Sequence, residues 1–164
     1  MESVELSIAV NTYKSPELLR LCLESIRRFM SASGLRYEVM VVDSSTEEDT
    51  EMMMREDFPE VRFFPFRENV GFKSLINTSL DEARGEYVFL INGDIILTEH
   101  VVPAMLAYMR QNPKIGILGP KQYNFNGSIQ QSFFRFYKPV TILYRRTFLS
   151  RFGFAKRHLD WFAM

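Results

Sequence analysis

The order of segments along the chain predicts an α/β fold, with a mainly parallel sheet and helices on both faces. Short apolar runs alternate with amphipathic segments of helical spacing from Leu6 to Leu118. Several of these apolar runs are followed directly by polar side chains, which is typical of buried strands that end at the edge of a sheet. Strands that alternate with helices imply right-handed crossovers between parallel strands. With 164 residues, 46% of them hydrophobic, the chain is long enough for one packed core.

Five apolar runs predict strands, and four amphipathic segments predict helices. The strands are expected at residues 6–10, 37–42, 61–66, 87–91 and 115–118, and the helices at residues 16–29, 52–55, 71–84 and 99–110. The fourth strand shows no alternation of apolar and polar residues. This pattern is typical of a central parallel strand that is covered on both faces.

Local signals predict where several elements begin and end. Ser15 is expected to cap the first helix, with Pro16 at its first position. Gly85 is expected to stop the third helix, and Thr98 to cap the fourth. The Asn-Gly pair at residues 126–127 predicts the turn of a β-hairpin.

The net charge is zero, but the charges are segregated along the chain. Residues 38–60 are almost entirely acidic apart from Arg55, and from Lys121 onward eight Lys or Arg residues face a single acid, Asp160. A basic stretch with interspersed Phe and Tyr is typical either of a solvated surface or of a contact with anionic groups such as lipid headgroups. Peripheral membrane contact therefore stays open as an interpretation, and no nucleic-acid partner is expected.

Other features bear on the cellular setting. No run approaches the ~18–20 apolar residues of a membrane helix, and no secretory signal pattern precedes the first strand. The single cysteine, Cys22, lies among apolar residues at helical spacing, which predicts a packed thiol rather than a nucleophile. We expect a cytoplasmic protein, with peripheral attachment to a membrane as the alternative.

Polar side chains at the ends of three predicted strands indicate a ligand site. They fall in the segments Asn11-Thr12, Asp43 and Asn92-Gly93-Asp94. In parallel α/β sheets, ligands bind outside the carboxyl ends of the strands. A single acid after a strand is typical of a turn. The convergence of polar groups from three strand ends at one edge of the sheet predicts a site.

The motifs that are missing narrow the chemistry of this site. The first strand is not followed by GxGxxG, and the sequence contains neither GxxxxGK[ST] nor GxSxG. The two histidines lack the ligand spacing of a zinc site. A hard-cation arrangement remains, because Mg²⁺ and Mn²⁺ are held by one or two carboxylates together with substrate phosphates. Asp94 is the candidate carboxylate.

Several segments, in their order and spacing, resemble glycosyltransferase family 2. They are Leu6 to Tyr13, Val41-Val42-Asp43-Ser44-Ser45, Glu68-Asn69-Val70-Gly71-Phe72 with Asn77, Ala83-Arg84-Gly85-Glu86-Tyr87, and Asn92-Gly93-Asp94. The resemblance runs from about Leu6 to Pro139 and implies the Rossmann-like GT-A nucleotide-diphospho-sugar transferase fold. Residues 119–120, 126–130 and 135–136 are similar to the rhamnosyltransferase-like branch.

The family resemblance implies a hexosyl-type, inverting glycosyltransferase. Such an enzyme transfers a sugar from a nucleotide diphosphate sugar to a glycan or lipid-linked acceptor in polysaccharide or cell-surface glycan synthesis. The residues expected around the donor are Asn11, Thr12, Tyr13, Asp43, Asn69, Gly71, Lys73, Asn77, Asn92 and Gly93, with Asp94 as the metal ligand for Mn²⁺ or Mg²⁺. Within this set, Asp43 is expected to accept a hydrogen bond from a pyrimidine base or the ribose, and Lys73 to be a charge partner.

The sequence departs from the family pattern in three respects. Asn11 stands where proline is common, and Asn92 replaces the first acid of the DxD-type motif. No catalytic base is identified, because the only acids after Asp94 are Glu99 and Asp160, and neither matches a base motif. We therefore expect a donor-binding domain at residues 1–138 and an incomplete acceptor region at residues 139–164, with the base beyond the last residue. The exposed apolar tail also suggests a homodimer contact.

Two further interpretations stay open beside the enzyme. The chain could be a non-catalytic nucleotide-sugar-binding module or an inactive fragment, which donor turnover would distinguish from donor binding alone. A receiver-like signalling domain would also have an acidic pocket at its strand ends. A domain of that class has a pair of acids after the first strand, where this sequence has Asn11 and Thr12.

Overall fold

The computed structural model describes residues 3–98 and 101–163. The chain divides into two compact units, Met1–Gly116 and Ile117–Met164. These are units of packing, and the functional boundary expected between residues 138 and 139 stays a prediction.

The first unit is a parallel sheet with helical crossovers. Its strands are β1 (Leu6–Tyr13), β2 (Tyr37–Ser44), β3 (Arg62–Phe66) and β4 (Tyr87–Asn92), and its helices are α1 (Pro16–Met30), α2 (Glu48–Asp57), α3 (Gly71–Glu82) and α4 (Val101–Gln111). Every pairing is parallel, and the strand order is β3-β2-β1-β4. The predicted α/β class is confirmed.

Strand β1 is the centre of the sheet and is buried from both sides. Leu6, Ile8 and Val10 lie in the main apolar core together with residues of α1 and α2. The alternate side chains point to the opposite face, where Asn11 accepts a hydrogen bond from Ser79 of α3. Helices therefore cover both faces of the sheet, as expected.

The expected position of β4 is wrong. Its only partner among the described strands is β1, so β4 lies at an edge of the sheet. Its apolar run arises because Tyr87, Phe89 and Ile91 pack on the main core while the other face of the sheet is covered by α3. Coverage of both faces by helices does not require a neighbouring strand on both sides.

The expected fifth strand is also wrong. Residues 115–118 form no strand. Ile117 is 93% exposed, and no strand edge pairs with this segment. Without a neighbouring strand edge, the backbone N–H and C=O groups of a short apolar run cannot form the hydrogen bonds of a sheet.

Two of the expected helix boundary signals do not act as predicted. The Ser15 hydroxyl donates to the carbonyl of Tyr13 at 3.2 Å and makes no cap hydrogen bond to α1. Helix α3 ends at Glu82, three residues before Gly85. The expected Thr98 cap adjoins residues 99–100, which lie outside the described ranges.

Cys22 is fully buried in α1, and burial raises the pKa of its thiol to about 12. A thiol with such a pKa is almost entirely protonated at neutral pH and is a poor nucleophile. The prediction of a packed core thiol is confirmed.

The second unit contains a hairpin and three short helical segments. They are β5 (Gln122–Tyr123), β6 (Ile129–Gln130), α5 (Pro139–Arg146), a 3-10 turn (Phe148–Arg151) and α6 (Gly153–Phe162). The antiparallel β5–β6 pair confirms the hairpin predicted from residues 126–127. Helices α5 and α6 are joined by the buried hydroxyl of Thr141, which lies 2.8 Å from Nε2 of His158. Within the described ranges, no helix has the length and apolar character needed to cross a bilayer.

Candidate functional site

The strand order creates a topological switch point between β1 and β4. The chain proceeds from β1 outward through β2 to β3, and then returns through α3 to the other side of β1. In open α/β sheets, the crevice outside the carboxyl ends of such a strand pair is the usual position of a ligand. A cleft of about 260 Å³ lies there.

Six of the residues predicted for the site line this cleft. They are Asn11, Thr12, Tyr13, Asn92, Gly93 and Asp94. The structure adds four residues that the sequence did not identify as site residues, namely Ser15, Leu18, Phe72 and Leu75. Phe72 is 63% exposed. Phe72 belongs to one of the segments that carry the family resemblance, and this was the signal that could have included it in the site.

Gly93 allows the ends of β1 and β4 to approach each other closely. Its backbone N–H donates to the carbonyl of Asn11 at 2.8 Å. A Cβ at this position would lie only 2.9 Å from Oγ1 of Thr12. The next residue, Asp94, is exposed at the cleft, and its carboxylate forms no hydrogen bond or ion pair with the described residues.

Asn11 is a buried amide with one satisfied end. Its Oδ1 accepts a 2.8 Å hydrogen bond from the hydroxyl of Ser79, but its Nδ2 has no partner among the described residues. Buried polar atoms are nearly always paired, so an unpaired donor beside a cleft indicates a place where a ligand can bind.

Asp43 presents a second unpaired polar atom on the neighbouring strand. It pairs in register with Thr12 and is 2% exposed, and its Oδ1 finds no hydrogen-bond partner in the described part of the chain. Burial raises the pKa of its carboxyl to about 6, and the nearby charge of Glu47 adds to this increase. A buried acid with a raised pKa is characteristic of functional sites.

Asn69 organises the loop between β3 and α3. Its Oδ1 accepts hydrogen bonds from the Ser44 hydroxyl at 3.3 Å and from the Gly71 N–H at 3.0 Å. The Ser44 hydroxyl in turn accepts from the N–H of Val70 at 3.1 Å. Gly71 has a φ of +76°, a conformation that glycine adopts without strain. This loop ties the end of β2 to the beginning of α3, the helix that brings Phe72 to the cleft.

A family model described as Glycosyl transferase family 2 matches residues 7–159. This chain belongs to glycosyltransferase family 2. The match includes every residue predicted for the site, and it identifies the chain as a glycosyltransferase domain.

Two solved structures illustrate the fold that this chain shares with known proteins. TarS 1-349 of S. aureus in complex with UDP is 20% identical with a TM-score of 0.59, and it covers 67% of this chain and 33% of its own. The mannosyltransferase PcManGT of Pyrobaculum calidifontis, in complex with GDP-Man and Mn²⁺, is 23% identical with a TM-score of 0.57. That match covers 66% of this chain and 33% of PcManGT. The predicted GT-A fold of the family is confirmed, and this chain spans one third of the length of each of these two solved chains.

Five predicted residues of the family site do not line the cleft, namely Asp43, Asn69, Gly71, Lys73 and Asn77. Lys73 and Asn77 lie one turn apart on an exposed face of α3, whereas Leu75 and Ser79 occupy its buried face. Neither Lys73 nor Asn77 bonds to another described residue. Their roles at the donor stay predictions.

The charge of the cleft fits a divalent cation that arrives with its substrate. Asp94 is the only charged side chain among the lining residues that the structure describes. Within those same parts of the chain, no group of three His, Cys, Asp or Glu side chains could hold a metal ion alone. In a Mg²⁺ or Mn²⁺ site of this kind, the protein contributes one free carboxylate beside polar groups. Phosphate oxygens and water supply the remaining ligands.

Proposed function

We propose that this chain is the donor-binding part of an inverting glycosyltransferase that uses a nucleotide diphosphate sugar. The observation that carries the proposal is the pair of unpaired buried groups, Asn11 Nδ2 and Asp43 Oδ1, beside the switch-point cleft of a family 2 domain. Such groups reduce the stability of the free protein unless a ligand satisfies them. A nucleotide offers both donors and acceptors of hydrogen bonds.

The proposed donor lies across the carboxyl ends of β1, β2 and β4. Asn11, Thr12 and Tyr13 line its nucleotide portion, and Asp43 accepts a hydrogen bond from a pyrimidine base or the ribose. Asn69 and Gly71 hold the loop that borders the pocket. Because Tyr13 and Phe72 are exposed at the cleft, they offer aromatic surfaces to the base and sugar.

The proposed metal ligand is Asp94, and the cation is Mn²⁺ or Mg²⁺. A diphosphate would meet one carboxylate and no cationic side chain among the described lining residues, so an unaccompanied diphosphate is repelled. When bound, the cation offsets the negative charge that develops on the leaving diphosphate. Asn92 and Gly93 position Asp94 for this role.

We infer the classes of sugar and acceptor from the family resemblance. We propose a hexosyl donor, in a rhamnosyltransferase-like branch, and a glycan or lipid-linked acceptor. The two similar structures were solved with UDP and with GDP-Man and Mn²⁺, so uridine, thymidine and guanosine diphosphate sugars form the appropriate test panel.

Calorimetric titration of this panel, with and without Mn²⁺, tests the proposal. We expect one nucleotide class to bind, and Asp43→Ala to weaken that binding by about 1–3 kcal/mol. Asp49→Ala is the matched control, because Asp49 is an exposed acid on α2. The absence of binding by any donor, or equal affinity in the Asp43 and Asp49 variants, would contradict the proposal.

A non-catalytic nucleotide-sugar-binding module is the second candidate. It accounts for the same cleft, and no catalytic base is assigned in this chain. Release of nucleoside diphosphate from a bound donor, followed over time with a glycan acceptor present, distinguishes the enzyme from the module.

A further inference from the structure

We propose that the second unit binds the surface of an anionic lipid bilayer through exposed aromatic residues surrounded by basic ones. This interaction is separate from donor binding and does not depend on it. Three aromatic side chains form the centre of the surface, here called the aromatic cluster: Phe148, Phe152 and Phe154.

The aromatic cluster is contiguous and open to solvent. Ring centroids are 6.3 Å apart for Phe148 and Phe152, and 5.8 Å apart for Phe152 and Phe154. The ring centroids of Tyr144 and Phe154 are 5.7 Å apart in an edge-to-face arrangement, which connects the cluster to α5. The three rings are 69%, 49% and 59% exposed, in chain order.

The interior of the second unit does not use these rings. Its buried positions are occupied by Thr141, Ala155 and Phe162, and Phe162 stacks on Phe134 at 5.4 Å between centroids. The outward face of α5 adds two aliphatic side chains, Ile142 and Leu143, each 49% exposed. An apolar surface of this kind usually marks an interaction site.

Basic side chains accompany the apolar ones on the same helix faces. Ile142 and Arg146 lie one turn apart on α5, and Phe154 and Arg157 lie one turn apart on α6. From Lys121 onward the chain has eight Lys or Arg residues and one acid. Within residues 117–163, none of these cations forms an ion pair with an acid.

This combination fits an anionic bilayer better than the alternative partners. A second copy of the same surface would bring like charges together, which opposes association. Nucleic-acid bases would stack on exposed ring faces, but Phe152 and Phe154 already stack on each other at an interplanar angle of 13°. The aliphatic side chains of this surface have no ring on which a base could stack. Lipid headgroups attract Lys and Arg, while aromatic and aliphatic side chains enter the region below them.

The sole tryptophan provides a direct reporter of this contact. Trp161 is 43% exposed and lies two turns from Phe154 on the same face of α6. Its ring is covered by the guanidinium of Arg135 and the ammonium of Lys138, each 4.9 Å from the centroid. Entry into the headgroup region moves this indole from water to a less polar environment, so its emission shifts to the blue.

Vesicle binding by the full chain tests the proposal. Phosphatidylcholine vesicles with and without phosphatidylglycerol are sedimented with the protein, and Trp161 emission is recorded on the same samples. We expect binding and a blue shift only with phosphatidylglycerol, and a loss of both as salt is raised. The double variants Phe148→Ser with Phe152→Ser, and Arg146→Glu with Arg151→Glu, should each weaken binding on the order of 10-fold or more.

Matched controls lie in the first unit. Tyr108→Ser and Lys114→Glu alter exposed residues of the same chemical kinds, and both should bind as the wild type does. Circular dichroism confirms that each variant is folded. No binding to anionic vesicles, equal binding to neutral vesicles, dimer formation that the Phe variants abolish, or preferential binding of a single-stranded oligonucleotide would each overturn the proposal.

Discussion

The hydroxyl of Ser79 donates a 2.8 Å hydrogen bond to Oδ1 of Asn11, and both side chains are buried between α3 and β1. This contact joins a helix that borders the cleft to the central strand of the sheet. It also fixes the orientation of the Asn11 amide, so that the unpaired Nδ2 group is held in one place. The site is therefore positioned by a polar contact within an otherwise apolar interior.

Replacement of Ser79 by alanine tests this role. Ser79→Ala leaves a buried carbonyl oxygen of Asn11 without its donor, and we expect the free energy of unfolding to fall by about 1–3 kcal/mol. Donor affinity should fall as well, because the amide is free to turn. Ser74→Ala, on a half-exposed position of the same helix, is the control. Equal urea midpoints for the two variants would show that the bond does not stabilise the fold.

Asp43 makes stability depend on pH in a predictable direction. The pKa of its carboxyl is about 6 in the folded chain, against an ordinary value of 3.8. Between these values the folded state binds more protons than the unfolded state, so the free energy of unfolding falls as pH rises. The loss is complete above the folded pKa and amounts to about 3 kcal/mol at most.

Asp43→Asn removes this titration. We expect the stability of the variant relative to the wild type to be greater near pH 8 than near pH 4, measured by urea unfolding at each pH. The same substitution should weaken donor binding, so that stability and function change in opposite directions. Asp49→Asn, at an exposed acid, should change neither. A difference between variant and wild type that does not vary with pH would contradict the raised pKa.

The metal response of donor binding should depend on Asp94. Asp94→Asn preserves the size of the side chain but removes its charge, and a neutral amide is a weaker ligand for a hard cation. We expect Mn²⁺ to strengthen nucleotide binding in the wild type and to have little effect in the variant, as measured by calorimetry. If Asp94 serves only the turn after β4, the variant will lose stability while its response to Mn²⁺ is unchanged.

Much of the sheet and the site could be predicted because the apolar segments of the strands are followed directly by polar residues. The end of β1 could not. The prediction ended this strand at Val10, where polar residues begin, but the ladder continues to the pairing of Tyr13 with Ser44. Asn11 and Thr12 are buried strand residues. Polar side chains at the buried end of a strand are atypical of a strand with a purely structural role.

The parts that sequence reasoning missed depend on three-dimensional placement. Leu75 lies within the segment predicted as the third helix, but only the docking of α3 shows that Leu75 and Phe72 line the cleft. The edge position of β4 depends on strand order, which hydrophobic pattern alone does not determine. Gly85 was interpreted as a helix stop, whereas its role follows from a close contact with a distant strand.

Three glycine-to-alanine variants should rank by what a new Cβ would meet. At Gly85 the Cβ would lie 2.5 Å from the backbone nitrogen of Ser7, and at Gly93 it would lie 2.9 Å from Oγ1 of Thr12. At Gly116 nothing lies within 4 Å. Side chains can yield where a strand backbone cannot, so the order of destabilisation should be Gly85, then Gly93, then Gly116.

The cost at Gly85 is raised further by hydrogen bonds that a shift would break. The hydroxyl of Ser7 accepts from the N–H of Gly85 at 2.8 Å and from that of Arg84 at 3.0 Å. We expect Gly85→Ala to lose about 3 kcal/mol or more, Gly93→Ala about 1–3 kcal/mol, and Gly116→Ala less than about 0.5 kcal/mol. Urea unfolding of all three under one condition measures the ranking. Equal stability of the Gly85 and Gly116 variants would mean that the turn before β4 moves away from β1 without penalty, and that the close contact does not hold this edge of the sheet.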